Sequence, residues 1–204
     1  MSRILIYGGT FDPPHRAHIE LAQRAAKARN CQSIVYIPAA SNPLKQHQPT
    51  PGHHRVAMLH RALINRSDAV VSTIELLRPP PSYTIDTLRA LRARLPRETE
   101  LHLLLGSDAA ATFYRWREPH AILELATPAV LLRNEHDPAT LERLIAQDAD
   151  DAAEAARWRN WLLTDLQQID ISATEIRAQL RNGGSPVEVP PAVMSYIRTH
   201  QLFE

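Results

Sequence analysis

The spacing of apolar and polar positions changes repeatedly along the chain. Arg3–Tyr7 (RILIY) is a short apolar run, the pattern of a buried strand. Residues 15–30 then place Ile19, Ala22, Ala25 and Ala26 at helical spacing. SIVYIP at 33–38 predicts a second strand, and 39–51 a polar, proline-rich loop. A helix follows over 52–65, with Val56, Leu59 and Leu63 on one face. Ala69–Ile74 predicts a third strand, and 82–95 a helix with Ile85, Leu88 and Leu91 inward. LHLLLG (101–106) and PAVLLR (128–133) bring the apolar strands to five. Apolar strands alternating with amphipathic helices predict an α/β fold, a parallel sheet covered by helices on both faces.

The last third reads differently. Residues 138–163 are helical in pattern, and Asp148, Asp150 and Asp151 precede Arg157 and Arg159. That order complements a helix dipole and marks a solvated outer helix. A short strand is predicted over 166–169, then helices near 172–181 and 190–201 around the Gly183–Gly184 turn. No repeat or low-complexity linker interrupts the pattern, so residues 1–204 are expected to form a single domain.

Composition narrows the possible functions. The chain has 204 residues, 44% of them hydrophobic, enough for a sizeable core in one domain. A formal net charge of +1 gives no electrostatic case for nucleic acid or an anionic membrane as partner. One cysteine, Cys31, excludes an internal disulfide and a Cys-rich zinc site. There is no apolar run long enough to span a bilayer and no secretory-type leader, so a cytoplasmic setting is expected.

The segment after the first strand, GGTFDPPHRAH from Gly8 to His18, carries most of the candidate chemistry. Two glycines let the backbone turn and approach a ligand. Asp12 and Pro13 read as a helix-start pair, a capping side chain followed by a residue suited to the first helical position. His15 and His18 are spaced i, i+3 and share one face of the opening turn. The N-terminus of a helix offers partial positive charge and N–H groups to phosphate. Histidines alone read more simply as exposed polar residues, or as a metal pair, although no nearby carboxylate cluster completes a metal site. The strand, the Gly-Gly turn and the helix start together favour phosphate. G-x-G-x-x-G, the P-loop and G-x-S-x-G are all absent from the sequence.

A second constellation is ISATEIR, Ile171–Arg177. Ser172 and Glu175 match a capping box, with Ile171 and Ile176 at hydrophobic-staple positions. Arg177, one turn in, is placed to add a guanidinium fork to the helix start, and a well-capped structural helix reads equally well. Gly106-Ser107-Asp108 ends the fourth strand. Open parallel sheets bind ligands outside the carboxyl ends of their strands, and an Asp108 neighbouring the first strand suits ribose hydroxyls. Tyr83 and Thr84 mark another helix start, and Phe113–Trp116 an aromatic, basic loop where Trp116 either packs locally or stacks on a flat ring. Lys45, one of two lysines, lies at a strand's carboxyl end and either reaches phosphate or stays solvated. Trp158 and Trp161 read as structural.

GGTFDPPHRAH and ISATEIR together resemble the nucleotidyltransferases with an early H-x-G-H and a late I-S-S-T-x-[IV]-R motif, and within them the bacterial nicotinate-mononucleotide adenylyltransferases. SYTIDTL at 82–88, GSD at 106–108, the aromatic segment ending at Trp116 and the length resemble this branch, so the likeness covers nearly the whole chain. The chain departs from the pattern at Ala17, where Gly is usual, and at Ala173, where a second Ser is usual.

The resemblance implies a Rossmann-like open sheet of order 3-2-1-4-5 with a further C-terminal strand. It also implies adenylyl transfer from ATP to nicotinate mononucleotide, giving nicotinate adenine dinucleotide and pyrophosphate, with in-line attack and no covalent intermediate. His15, His18 and Arg177 would be the catalytic groups. Gly8, Gly9, Thr10, Phe11, Gly106, Asp108, Ile171 and Ser172 would join them around ATP. Thr10, Lys45, Tyr83, Thr84, Asp108 and Trp116 would hold the mononucleotide. Mg²⁺ would ride on the ATP phosphates, with no protein metal site. The rival readings are adenylyl transfer to nicotinamide mononucleotide or phosphopantetheine, and a nucleotide-sensing module without turnover.

Overall fold

A computed structural model of the chain describes residues 2–40, 49–132, 137–164, 166, 169 and 171–204. Its elements run β1 (Arg3–Gly9), α1 (Arg16–Ala28), β2 (Ser33–Pro38), α2 (Gly52–Ala62), β3 (Ala69–Val71), α3 (Thr84–Arg92) and β4 (Glu100–Gly106). After these come α4 (Ser107–Ala111), α5 (Pro119–Leu125), β5 (Thr127–Leu131), α6 (Pro138–Ala146), α7 (Ala152–Arg157), α8 (Ala173–Arg181) and α9 (Pro191–Thr199). Short 3-10 turns occupy Phe113–Arg115 and Trp158–Trp161.

The strands form one sheet in the order β3-β2-β1-β4-β5, the Rossmann-like order expected. β1 and β4 pair in parallel from Arg3 opposite Glu100 to Ile6 opposite Leu103. β4 and β5 pair in parallel from His102 opposite Thr127 to Gly106 opposite Leu131. The central strands are apolar on both faces, as a covered parallel sheet requires: Leu101, Leu103, Leu104 and Leu105 of β4 are all buried.

Three expectations shift. β3 stops at Val71, three residues early, because Val70 faces solvent and the run has too few buried positions to extend the ladder. The helical pattern of 138–163 divides into α6 and α7. Asp137 and Asp151 each cap a new helix start, so the acidic cluster ends one helix and begins another. Residues 166 and 169 are not in a strand, and 167–168 lie outside the described residues. The extra pairing with β5 falls earlier, as a single parallel bridge of Val130 with Leu162.

The chain divides into two compact units. One comprises Met1–Tyr7, Arg24–Ile34 and Tyr83–Gln168. Its core holds Leu5, Ile85, Leu88, Ile122 and Val130, with Trp158 fully buried against Phe113 at 4.9 Å between ring centroids. The other comprises Gly8–Gln23, Val35–Ser82 and Ile169–Glu204. There α2, α8 and α9 supply Met58, Ile176, Leu180, Val193, Met194 and Ile197 to one cluster.

Candidate active site

The loop of the early motif leaves β1 through Gly8 and Gly9. A Cβ on Gly9 would meet the Phe11 ring at 2.9 Å, so the close approach requires glycine. A Cβ on Gly8 would meet nothing within 4 Å. Phe11 adopts a left-handed φ of 51° and buries its ring between Tyr36 and His18. That backbone region is costly for a bulky residue, and the two ring contacts help hold it.

Asp12 and Pro13 do not start the helix: α1 begins at Arg16. Asp12 is buried and turned to a different task. Its Oδ2 accepts the Thr50 N–H at 3.0 Å, and its backbone carbonyl accepts Arg177 Nη1 at 2.9 Å.

His15 and His18 do share a face, with stacked rings 3.6 Å apart. His18 plays the part of a capping-box side chain: its Nδ1 accepts the His15 backbone N–H at 3.2 Å. An accepting Nδ1 assigns the neutral ring's proton to Nε2, which makes Nε2 a donor. The Arg16 N–H is already held by the Glu188 carbonyl at 2.8 Å. Two backbone donors of the opening turn are therefore partnered within the protein, contrary to the simple picture of an open helix N-terminus. Ala17 is buried, so the chain's own packing accommodates the methyl that replaces the usual hydrogen.

The late motif folds as its capping signals require. Ser172 Oγ accepts the Glu175 N–H at 3.4 Å, and Ile176 is buried with Ile171 packed on the same cluster. Arg177 reaches 165 residues back to Asp12 and also donates to Thr174 Oγ1 at 3.2 Å. The two motifs are thus joined by one guanidinium.

Sequence reasoning missed Arg55. It is 1% exposed, and its donors reach three backbone carbonyls: Thr50 at 2.8 Å, Thr10 at 2.9 Å and Ala39 at 2.8 Å. Burial lowers its pKa from the ordinary arginine value, and the Asp12 charge opposes that shift. Burying an ion costs several kcal/mol. Three hydrogen bonds to a charged donor, at about 1.5–3 kcal/mol each, are large enough to offset it. No local motif marks Arg55; the only hint is an arginine on the face of α2 shared with Leu59.

In the other unit, Gly106 ends β4 and Asp108 lies in the first turn of α4. β1 and β4 are neighbours, as the argument for Asp108 requires. Tyr83 precedes α3 and Thr84 opens it, both half-buried. Trp116 is half-buried, with its ring 5.3 Å from that of Phe113. The next residue, Arg117, lies over the Tyr83 ring at 4.9 Å. Tyr83, Thr84 and the Trp116 segment therefore come together, although α4, α5 and the 3-10 turn take up much of what reads as loop. Trp158, read as structural, donates its Nε1–H to Tyr114 Oη at 3.2 Å, and burial pushes the Tyr114 hydroxyl up to about 12. Lys45 lies outside the described residues.

Among the described residues, one set of side chains has metal-ligand geometry: His120, Asp150 and Glu154, with ligand atoms within 4.8 Å of one another. His120 and Asp150 are largely exposed, and His120 Nε2 lies 3.3 Å from an Asp150 oxygen and 3.1 Å from a Glu154 oxygen.

This fold has known counterparts. Residues 6–179 match the model of the cytidylyltransferase-like family. A probable nicotinate-nucleotide adenylyltransferase of Herpetosiphon aurantiacus is 38% identical, over 100% of this chain and 99% of that protein. One of Pseudomonas paraeruginosa is 36% identical, over 98% and 97%. The fold is shared with the Plasmodium falciparum nicotinic acid mononucleotide adenylyltransferase. Its complex with APC has a TM-score of 0.73 and 18% identity, over 100% and 98% of the two chains, and its complex with NaAD a TM-score of 0.72. The chain belongs to the cytidylyltransferase-like family, and within it to the nicotinate-nucleotide adenylyltransferases.

Proposed function

We propose that the chain transfers the adenylyl group of ATP to nicotinate mononucleotide, the dinucleotide-forming step of NAD biosynthesis. The observation that carries this reading is the joining of the two motifs: Arg177 of the late motif is bonded to Asp12 of the H-x-x-H loop. A phosphate oxygen of the mononucleotide attacks the α-phosphorus of ATP in line. The new P–O bond forms as the bond to the β-phosphate oxygen breaks, and pyrophosphate leaves with its electron pair. No covalent enzyme intermediate is needed, so positioning and charge stabilisation account for the rate.

In this reading His15 and His18 meet the triphosphate, with His18 Nε2–H donating to oxygens whose charge grows in the transition state. Gly8, Gly9, Thr10 and Phe11 bring the loop backbone to phosphate. Arg177, with Ile171 and Ser172 at the start of α8, holds the departing pyrophosphate. Gly106 and Asp108 receive ribose hydroxyls, and Tyr83, Thr84 and Trp116 hold the pyridine ring, with Thr10 and Lys45 on the mononucleotide phosphate. Mg²⁺ carried by the triphosphate would supply neutralisation of phosphate charge. The loop's single carboxylate, Asp12, is buried and engaged with Thr50, which suits an ion held by phosphate oxygens and water. No helix among the described residues is long and apolar enough to cross a membrane, and an ATP-consuming step of this kind fits the cytoplasm.

Label tracing tests the reaction. With α-labelled ATP and nicotinate mononucleotide the label should enter the dinucleotide, and γ-labelled ATP should release it in pyrophosphate. Label appearing as inorganic phosphate, or on the protein, would exclude this chemistry.

A further inference from the structure

We propose that Arg55 is the positioning residue of the phosphate loop, for the adenylyl transfer proposed above, on which this inference rests. A guanidinium is planar, with donors in fixed directions. Arg55 spends those donors on the carbonyls of Thr10, Ala39 and Thr50, from three separate segments. The second and third segments also bond the loop directly: the Ala39 N–H donates to the Gly9 carbonyl at 2.9 Å, and the Thr50 N–H to Asp12. The loop is therefore gripped at Gly9, Thr10 and Asp12 through one buried cation. Asp12 in turn receives Arg177, so the position of the late-motif arginine depends on the same network.

The Thr10 contact has a directional consequence. A peptide unit is planar and trans, so its carbonyl and N–H point opposite ways. Drawing the Thr10 carbonyl towards the buried guanidinium turns the Phe11 N–H away from it. Phe11 sits at a left-handed φ of 51°, a conformation that persists only when its surroundings impose it. Arg55 supplies that constraint without touching substrate, since it is 1% exposed. A lysine replaces it only in part, because a single ammonium cannot present three divergent donors in one plane.

The test uses Arg55→Met and Arg55→Lys in the full chain. Amide hydrogen exchange in peptides covering residues 8–15 should rise about tenfold or more in Arg55→Met, with α9 peptides unchanged. In steady state, kcat should fall by about 10²-fold, as for a loop displaced by about an ångström, with a smaller change in either KM. Arg55→Lys should recover part of both losses and carries the test if Arg55→Met does not fold. Wild-type exchange over 8–15 in either folded variant, or kcat within twofold of wild type, would overturn the proposal. A wild-type protein that fails to turn over would instead remove the adenylyl-transfer reading, and the exchange comparison would still decide the role of Arg55.

Discussion

In the unit that carries the H-x-x-H loop, hydrogen bonds to backbone atoms do much of the holding. Arg55 and Arg177 donate to backbone carbonyls at 2.8–2.9 Å, and His18 accepts the N–H of His15. In the unit that carries Tyr83, Asp108 and Trp116, rings and exposed ion pairs do the holding. Trp116 leans on Phe113, Tyr83 lies under Arg117, and Glu118 pairs with Arg89 at 2.6 Å. Hydrogen bonds to backbone fix an atom within tenths of an ångström, whereas a ring contact leaves room to slide. Phosphorus chemistry needs the first kind of order. A flat pyridine ring needs only a face to rest on. Under the proposed reaction, the first unit would supply the groups that react and the second those that choose.

Substitutions in each unit should therefore fail differently. The largest effect belongs to His18→Ala, which should lower kcat by about 10²-fold or more with a smaller change in KM, the mark of an interaction made mainly in the transition state. Pyrophosphate release measures it, and an unchanged kcat would take the chemistry away from this loop. Arg177→Lys loses the fork that spans Asp12 and Thr174. It should cost roughly 10–10²-fold in kcat/KM for ATP and leave KM for the mononucleotide near wild type. Trp116→Ala should raise KM for the mononucleotide by up to about tenfold, the scale of one lost stacking contact, with KM for ATP almost unchanged. Equal effects on both substrates would make Trp116 a packing residue and break the division of labour.

The smallest effect concerns the frame of the choosing unit. His102 of β4 is buried, and burial, with Arg29 and Arg3 nearby, lowers its pKa despite Glu100. The folded protein then resists a proton that the unfolded chain accepts at the ordinary histidine value of about 6.5. Stability from the neutral ring is fully present above that pH and is lost as pH falls through it. Melting temperature should hold between about pH 7 and 8 and decline below about 6.5, and His102→Phe should flatten the decline. A wild-type Tm that stays level down to about pH 5.5 would refute this role.

The same contrast explains what sequence reasoning could reach. The strands and most helices followed from apolar runs and helical spacing, the strand order from the family resemblance, and the capping signals of Ser172 and Ile176 placed α8 correctly. These are local signals, written within one turn of chain. Asp12 misled because its chemistry fits a helix cap, while its actual partners, Thr50 and Arg177, are remote in sequence. Arg55 escaped for the same reason, since its three acceptors are backbone atoms and carry no residue-type signature. The aromatic residues were found by type, but the helices around them were not. α4 spans only Ser107–Ala111 and α5 only Pro119–Leu125, too short for periodicity to register.

Steady-state pyrophosphate release with ATP and either nicotinate or nicotinamide mononucleotide tests the central claim most directly. The account predicts turnover with the nicotinate form at a kcat/KM clearly above that for the amide. Turnover with neither mononucleotide, or a preference for the amide, would contradict it.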